Sequence, residues 1–460
     1  MNMKYPSIVF LLFLVGCGAI DPKTQPTYFS GTIVNPTSDF ITLHREEELI
    51  DTAFLDQYGR FSLRLESLDE GLYHFDHPPE YNYVYLQKGD SIHIRINTVS
   101  FDESLVFSGR GSELNNFILE MFLTNERESY SIEKNYVLDP EPFHQLIETI
   151  RADKLSMLSD LQKEVTLSER AVSMVAANID YNLYVHKEKY PFFHENSPKV
   201  KDFPQEFFDY RKNIERNNRD LSHFRPYFQF MKFHLGNMAY EACNEQCGEI
   251  PAPEKPLHFN LHKLNIIDSL VEDRLLKDQL MRQLALQYWV KSQDSEARIT
   301  QFHQVFSPYL KENRYASELN EVYQSILSLQ PNRQVLPLPV VNHQGDLTNL
   351  QKLASDRKVV LYFWSSKYEG MLFRIQQKVA ELQKKWPEYQ FIGISPDQDA
   401  AQWSATIQEY DMQPELQYRS IHPEDLQNRL IWDNAFKSVV LENGKIVNGF
   451  ANLQTSFQKQ

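Results

Sequence analysis

Apolar residues change their rhythm along the chain, and the changes divide it into zones. Behind Lys4 lies an unbroken apolar run, Ile8 to Val15 (IVFLLFLV). From Tyr28 to about Ser108 apolar and β-branched residues come in short runs. These are Thr32-Ile33-Val34, Phe40-Ile41-Thr42-Leu43, Arg60-Phe61-Ser62-Leu63, Tyr83-Val84-Tyr85-Leu86 and Ser91 to Ile96. Asn35-Pro36, Tyr58-Gly59 and Lys88-Gly89-Asp90 separate them as turns. Short strands at regular spacing predict a small β-sandwich over 28–110.

From 111 to 332 the spacing becomes three and four, which predicts helices. Val172, Val175, Ile179 and Leu183 form one stripe, behind a capping-box pattern of Thr166 and Glu169. Phe224, Phe228, Met231, Leu235 and Met238 form a second, and Leu276, Leu280, Leu284 and Tyr288 a third. Such stripes read as ordinary core. No repeat of fixed period runs through this zone, so a solenoid is not expected.

From 333 to 460 strand and helix alternate. Val359 to Trp364 is a buried-type strand, followed by a helix with Leu372, Ile375, Val379 and Leu382 on one side. Phe391 to Ile394 is a second strand, 400–410 around Trp403 a helix, and Leu426 to Ile431 another. Lys437 to Leu441 and Lys445 to Val447 pair through Asn443-Gly444, a strong hairpin signal. The expected fold is therefore multidomain α+β: an N-terminal β-sandwich, a central all-α region, and a C-terminal mixed sheet covered by helices.

Composition and charge narrow the setting. The formal net charge is −15, which argues against nucleic acid and against electrostatic docking on anionic lipid. The apolar run at 8–15 is far below the ~20 residues that span a bilayer. With Lys4 before it and Gly16-Cys17 after it, the run reads as a secretory signal. The segment Leu14-Val15-Gly16-Cys17 resembles the bacterial lipobox. That resemblance implies a signal peptide at 1–16, lipid on Cys17, and a tether at 17–27 carrying Pro22 and Pro26. The membrane contact is then a lipid anchor in the bacterial cell envelope. By the same resemblance, Gly18 rather than Asp after Cys17 implies the outer membrane, with the protein facing the periplasm.

Three cysteines occur, so Cys243 and Cys247 remain for other chemistry. In an oxidising compartment a local structural disulfide is the expectation. Four residues apart on a helix, their Cα atoms would lie ~6 Å apart, inside the disulfide window but near its edge. Gly248 and Pro251 predict a helix ending there, which would relax the geometry. A redox-active pair or half a metal site is the sharper reading, but no histidine or further cysteine lies close in sequence to complete a four-ligand site.

ValValLeuTyrPheTrpSerSer (359–366), PheIleGlyIleSerProAsp (391–397) and GluAsnGlyLysIleVal (442–447) together resemble the membrane-anchored thioredoxin-like family typified by TlpA and ResA. The phrases at 55–62, 87–92 and 107–115 resemble the N-terminal domain of Bacteroidetes-type thioredoxin-like lipoproteins. Together the two resemblances cover under half of the chain. The family implies a thioredoxin fold over 333–460 and dithiol exchange by a Trp-x-x-x-Cys-x-x-Cys segment at a helix start, where the thiolate is favoured. Aligned on Trp364, the two cysteine positions hold Tyr368 and Met371, and Ala435 lies near the family's cis-proline position. The resemblance therefore implies a degenerate, redox-inactive domain.

Other candidates are weaker. His74, Asp76, His77 and Glu80 cluster in sequence, but Pro78-Pro79 suggests a solvated loop and not a metal site. Ser365, Ser366 and Lys367 sit where a nucleophile would, without an identifiable histidine or carboxylate partner. No cofactor, metal or catalytic residue is expected. The leading expectation is a binding or scaffold module with a protein or peptide partner. The rival is a thiol–disulfide oxidoreductase using Cys243 and Cys247.

Overall fold

The computed structural model describes residues 26–194, 203–248, 251, 254–291, 294–432 and 434–455. Cys17, its lipobox and nearly all of the expected tether lie outside the described residues. The chain forms two compact units, divided between His234 and Leu235.

The first unit begins with eight strands: β1 (Thr27–Val34), β2 (Phe40–Arg45), β3 (Glu48–Phe54), β4 (Arg60–Leu65), β5 (Gly71–His77), β6 (Glu80–Leu86), β7 (Ser91–Asn97) and β8 (Val106–Arg110). They make two four-stranded sheets, ordered β4-β1-β7-β8 and β3-β2-β5-β6. Alternation along each strand sends one set of side chains inward. Phe29 and Ile94 from one sheet meet Ile41, Leu43 and Phe75 from the other in a single core. Gly31 in β1 is required by this packing, since a Cβ there would come within 2.5 Å of Ile94 Cγ1.

A helical turn, α1 (Phe101–Ser104), and three long helices follow: α2 (Ser112–Lys134), α3 (Pro140–Glu164) and α4 (Glu169–Phe193). Helix α2 closes two sheet edges with side-chain amides. Asn115 accepts from the Tyr85 amide at 2.7 Å and donates to the Tyr85 carbonyl at 2.9 Å. Asn116 does the same to Phe107, at 3.0 and 2.8 Å. Each carboxamide thus takes the place of a neighbouring strand on edge strands β6 and β8. The cap of α4 is Ser168, which accepts from the Ala171 amide, and not Thr166. The helix starts two residues later than the capping box suggested.

Helix α5 (Arg225–Gln246) runs across the division between the units. The second unit continues with α6 (Lys255–Leu270), α7 (Arg274–Leu286), a π-helical turn at Gln287–Lys291, α8 (Glu296–Leu310) and α9 (Ala316–Ser328). Its α/β part comprises β9 (Pro339–Val341), β10 (Leu347–Asn349), α10 (Leu350–Leu353), β11 (Lys358–Phe363), α11 (Glu369–Lys385), β12 (Gln390–Ser395), α12 (Ala400–Glu409), β13 (Gln417–Ser420), α13 (Pro423–Asn428), β14 (Lys437–Glu442) and β15 (Lys445–Asn452).

These seven strands form one sheet ordered β10-β9-β13-β12-β11-β14-β15. Strands β11 and β12 are parallel across α11, and β14 runs antiparallel to β11 and pairs with β15. This β-α-β unit with an adjoining antiparallel hairpin is the arrangement that the thioredoxin resemblance implies. The Asn443-Gly444 turn has φ of +52° and +75°, the left-handed pair that a two-residue hairpin requires. Leu372, Ile375, Val379 and Leu382 of α11 pack with Val360, Trp364, Phe391 and Trp403, as their spacing predicts. The helix expected over Leu426 to Ile431 is displaced. Helix α13 ends at Asn428, and Ile431 takes φ +51°, outside helical geometry.

The zone 111–332 is not one domain of its own in this fold. Its first helices belong to the unit built on the two four-stranded sheets, and α6 to α9 belong to the unit holding the seven-stranded sheet. Backbone bonds join that second set to the sheet. Asn332 N donates to the Ile446 carbonyl at 2.8 Å, and Val335 N to the Gly444 carbonyl at 3.0 Å.

Candidate functional site

The end of β11 leads into a tightly bonded turn. Ser365 Oγ donates to Asp397 Oδ1 at 2.6 Å, and the Ser366 amide donates to Asp397 Oδ2 at 2.7 Å. The Lys367 amide returns to Ser365 Oγ at 3.3 Å. Ser365 and Asp397 are both buried. Ser365 therefore has the carboxylate partner that its sequence neighbourhood did not reveal, and it comes from the loop after β12. A serine hydroxyl given to a carboxylate that also holds a backbone amide fixes the turn. A nucleophile would instead need a base such as histidine to take its proton. Beside the turn, Gln417 of β13 accepts from Trp364 Nε1 at 3.0 Å and donates to the Tyr362 hydroxyl at 3.1 Å.

The turn delivers Tyr368 to the N-cap of α11, with 67% of its surface exposed. Met371, one turn into the helix, packs half-buried against the core. Ala435 is also half-buried beside that core. The two positions aligned from Trp364 thus lie at the helix start and, half-buried, just inside it. A phenol and a thioether there offer no thiolate for disulfide exchange.

Cys243 and Cys247 are both free and buried, so the expected disulfide is not formed. The Cys247 amide donates to the Cys243 carbonyl at 2.7 Å, so helical geometry runs through both residues and keeps their side chains parallel, one turn apart. Burial and the neighbouring Cys247 push the Cys243 thiol above its ordinary range. His262, on α6, brings Nε2 to 3.2 Å from Cys247 Sγ. The ligand atoms of Cys243, Cys247 and His262 all lie within 4.8 Å of one another. Sequence reading missed His262 because it stands on the next helix, beyond a segment with no visible pattern.

The histidine and carboxylate cluster of the first unit also differs from expectation. His74, Asp76 and His77 lie in β5 and Glu80 begins β6, so they belong to strands and not to a loop. Strand alternation separates them. His77 faces inward, accepts from the Thr37 amide at 3.0 Å, and places Nδ1 2.9 Å from the Phe40 carbonyl, pinning the β1–β2 turn. His74 and Asp76 face outward beside His44 of β2, which stacks on His74 with ring centroids 4.9 Å apart. Burial pushes His74 down to about 4, against the pull of Asp76.

Sequence patterns also gave no sign of a fully buried charge on α4. Glu188 accepts from Arg211 Nη2 at 2.6 Å and from Tyr210 at 3.0 Å, and His234 Nδ1 lies at 2.9 Å. Burial alone would raise this carboxyl, but His234 and Arg211 outweigh it and hold it at about 2. In the same unit a cleft of ≈ 530 Å³ is lined by Arg45, Asp69, Arg170 and Asp220. These charges are already paired, Arg45 with Asp69 and Arg170 with Asp220.

Among the described residues no helix is long and apolar enough to cross a membrane. No protein-family model matches the chain, and no curated protein matches it either. Several solved structures are similar to part of the chain. The thioredoxin domain of a thiol-disulfide oxidoreductase from Bacteroides vulgatus is 16% identical, over 26% of this chain and 88% of that one, with a TM-score of 0.23. A thiol-disulfide oxidoreductase from Bacteroides fragilis is 18% identical, over 26% of this chain and 88% of that one, with a TM-score of 0.22.

Proposed function

We propose that the chain is a lipid-anchored protein of the bacterial cell envelope. Its thioredoxin-like part binds a protein or peptide partner at the start of α11 and does not exchange thiols. The observation that carries this reading is the exposed phenol of Tyr368 at the helix N-cap, where the family's reactive thiol would stand. Phe373, 55% exposed in the next turn, adds apolar surface to the same helix. Aromatic side chains are favoured anchors at interfaces because they bury large area at low conformational cost. The buried, helix-held thiols Cys243 and Cys247 speak against an oxidoreductase built on them. The anchor is lipid on Cys17, and the small sandwich at 28–110 carries no catalysis.

The test is site-specific photocrosslinking in intact envelopes. A photoreactive residue at Tyr368 should give a discrete crosslinked product. One at Leu347, equally exposed on β10, should not. Equal yields from the two positions would refute a binding surface at α11. Cys17→Ala should release the protein from membranes or leave an uncleaved precursor, and normal fractionation of that variant would refute the anchor.

A further inference from the structure

We propose that Cys243, Cys247 and His262 form a binding site for one thiophilic divalent cation, of which Zn2+ is the fitting ion. Two cysteines four apart on one helix and a histidine from the next make a soft, three-donor set of the type that selects zinc over hard cations. Tetrahedral zinc with two thiolates and an imidazole needs S···S near ~3.8 Å and S···N near ~3.6 Å, from the usual bond lengths. The three ligand atoms already lie within 4.8 Å of one another, and Cys247 Sγ and His262 Nε2 are 3.2 Å apart. Small side-chain rotations therefore suffice. The helical bond from the Cys247 amide to the Cys243 carbonyl sets both sulfurs on one side of the chain.

The position on the helix also suits a cation. Cys243 lies in the last turn of α5 and Cys247 just beyond it, where unpaired carbonyls favour positive charge. Both sulfurs are buried, and His262 is half-buried. Binding takes one Zn2+ and two thiols and yields two zinc–sulfur bonds and two protons released to buffer, with no change of oxidation state. The imidazole binds neutral through Nε2. Three protein donors leave the fourth position to water or an added ligand.

The experiment uses the full mature chain with Cys17→Ser, so that Cys243 and Cys247 are its only thiols. It is reduced, stripped of metal, and titrated with Zn2+ against a chromophoric chelator. One Zn2+ per chain should bind, with protons released and both thiols protected from iodoacetamide by mass spectrometry. Co2+ in its place should give thiolate charge-transfer bands and strong tetrahedral d–d absorption. Changes to residues around a metal's ligands cost about 10–100-fold in affinity, so Cys243→Ser or Cys247→Ser should cost more than about 100-fold. His262→Ala should weaken binding and leave both thiols free to alkylate in the presence of zinc. Unchanged circular dichroism of the apo variants separates ligand loss from misfolding. Alkylation of the reduced parent protein at the same rate with and without Zn2+ overturns the site. So does zinc affinity equal to that of the Cys243→Ser/Cys247→Ser double variant.

Discussion

Tyr368 and Met371, at the start of α11, have side chains that cannot make or resolve a mixed disulfide. The protein should therefore not reduce insulin above background, and Tyr368→Cys or Met371→Cys alone should not restore activity. Turnover by the unchanged protein that is lost with Cys243→Ser would sink this reading. The place of Tyr368 and Met371 at the start of α11 was legible from the apolar stripe that follows it. Partners arriving from elsewhere were not legible. Asp397 reaches Ser365 from the next strand's loop, and His262 reaches Cys247 from the next helix. Glu188 is a stronger case, since sequence patterns treat a glutamate on a helix as solvated. Its Arg211 and His234 partners make Glu188→Gln costly. Removing one member of a buried ion pair leaves the others uncompensated, so the loss should be about 3–5 kcal/mol by denaturant titration. A loss below about 1 kcal/mol would mean the cluster is hydrated and contributes little.

At the scale of elements, strongly periodic segments announced themselves and short polar ones did not. Helix α11 and the hairpin of β14 and β15 follow from an apolar stripe and an Asn-Gly turn. Strand β13 (QYRS), in contrast, has only four residues, two of them buried, and β9 and β10 have three each. Such strands exist because neighbours pair with them, which no local pattern records. The junction of α2 with the sheets is likewise tertiary. Two consecutive asparagines in its first turn bond to edge strands on different sheets. Replacing Asn115 by alanine strands the amide and carbonyl of buried Tyr85. A buried backbone group left unpaired costs about 1–3 kcal/mol. Asn115→Ala should thus lower stability by at least that amount and speed hydrogen exchange at Tyr85. Asn115→Leu should not rescue it, because the lost groups are polar. Unchanged exchange at Tyr85 would show that water replaces the carboxamide.

At the scale of the whole molecule, the division at His234 and Leu235 falls inside α5, where the apolar stripe runs on without a break and no linker composition marks it. The two units nevertheless carry separate reporters. All five tryptophans lie beyond residue 235, so tryptophan fluorescence follows the second unit alone. The first unit carries His186, which burial first, and then Lys189 and Lys154, push down to about 3. Its Nδ1 lies 2.8 Å from the buried Tyr136 hydroxyl. In the unfolded chain this histidine titrates near 6.5. Between about pH 6.5 and 3 the unfolded state therefore binds the extra proton, and stability rises with pH across that window. Acidification removes it, by about 1.4 kcal/mol per pH unit below the unfolded value, or about 2 kcal/mol by pH 5. His74, pushed to about 4, adds a loss of the same sign. Glu188, held at about 2, keeps its contribution in full above its unfolded value and does not begin to fail until the pH falls below it. Hydrogen exchange of α4 peptides should thus speed up between pH 7.5 and 5, after correction for the intrinsic rate. His186→Gln cannot titrate and should flatten that dependence. An equal pH dependence in His186→Gln and the parent protein would show that the acid sensitivity of the first unit lies elsewhere.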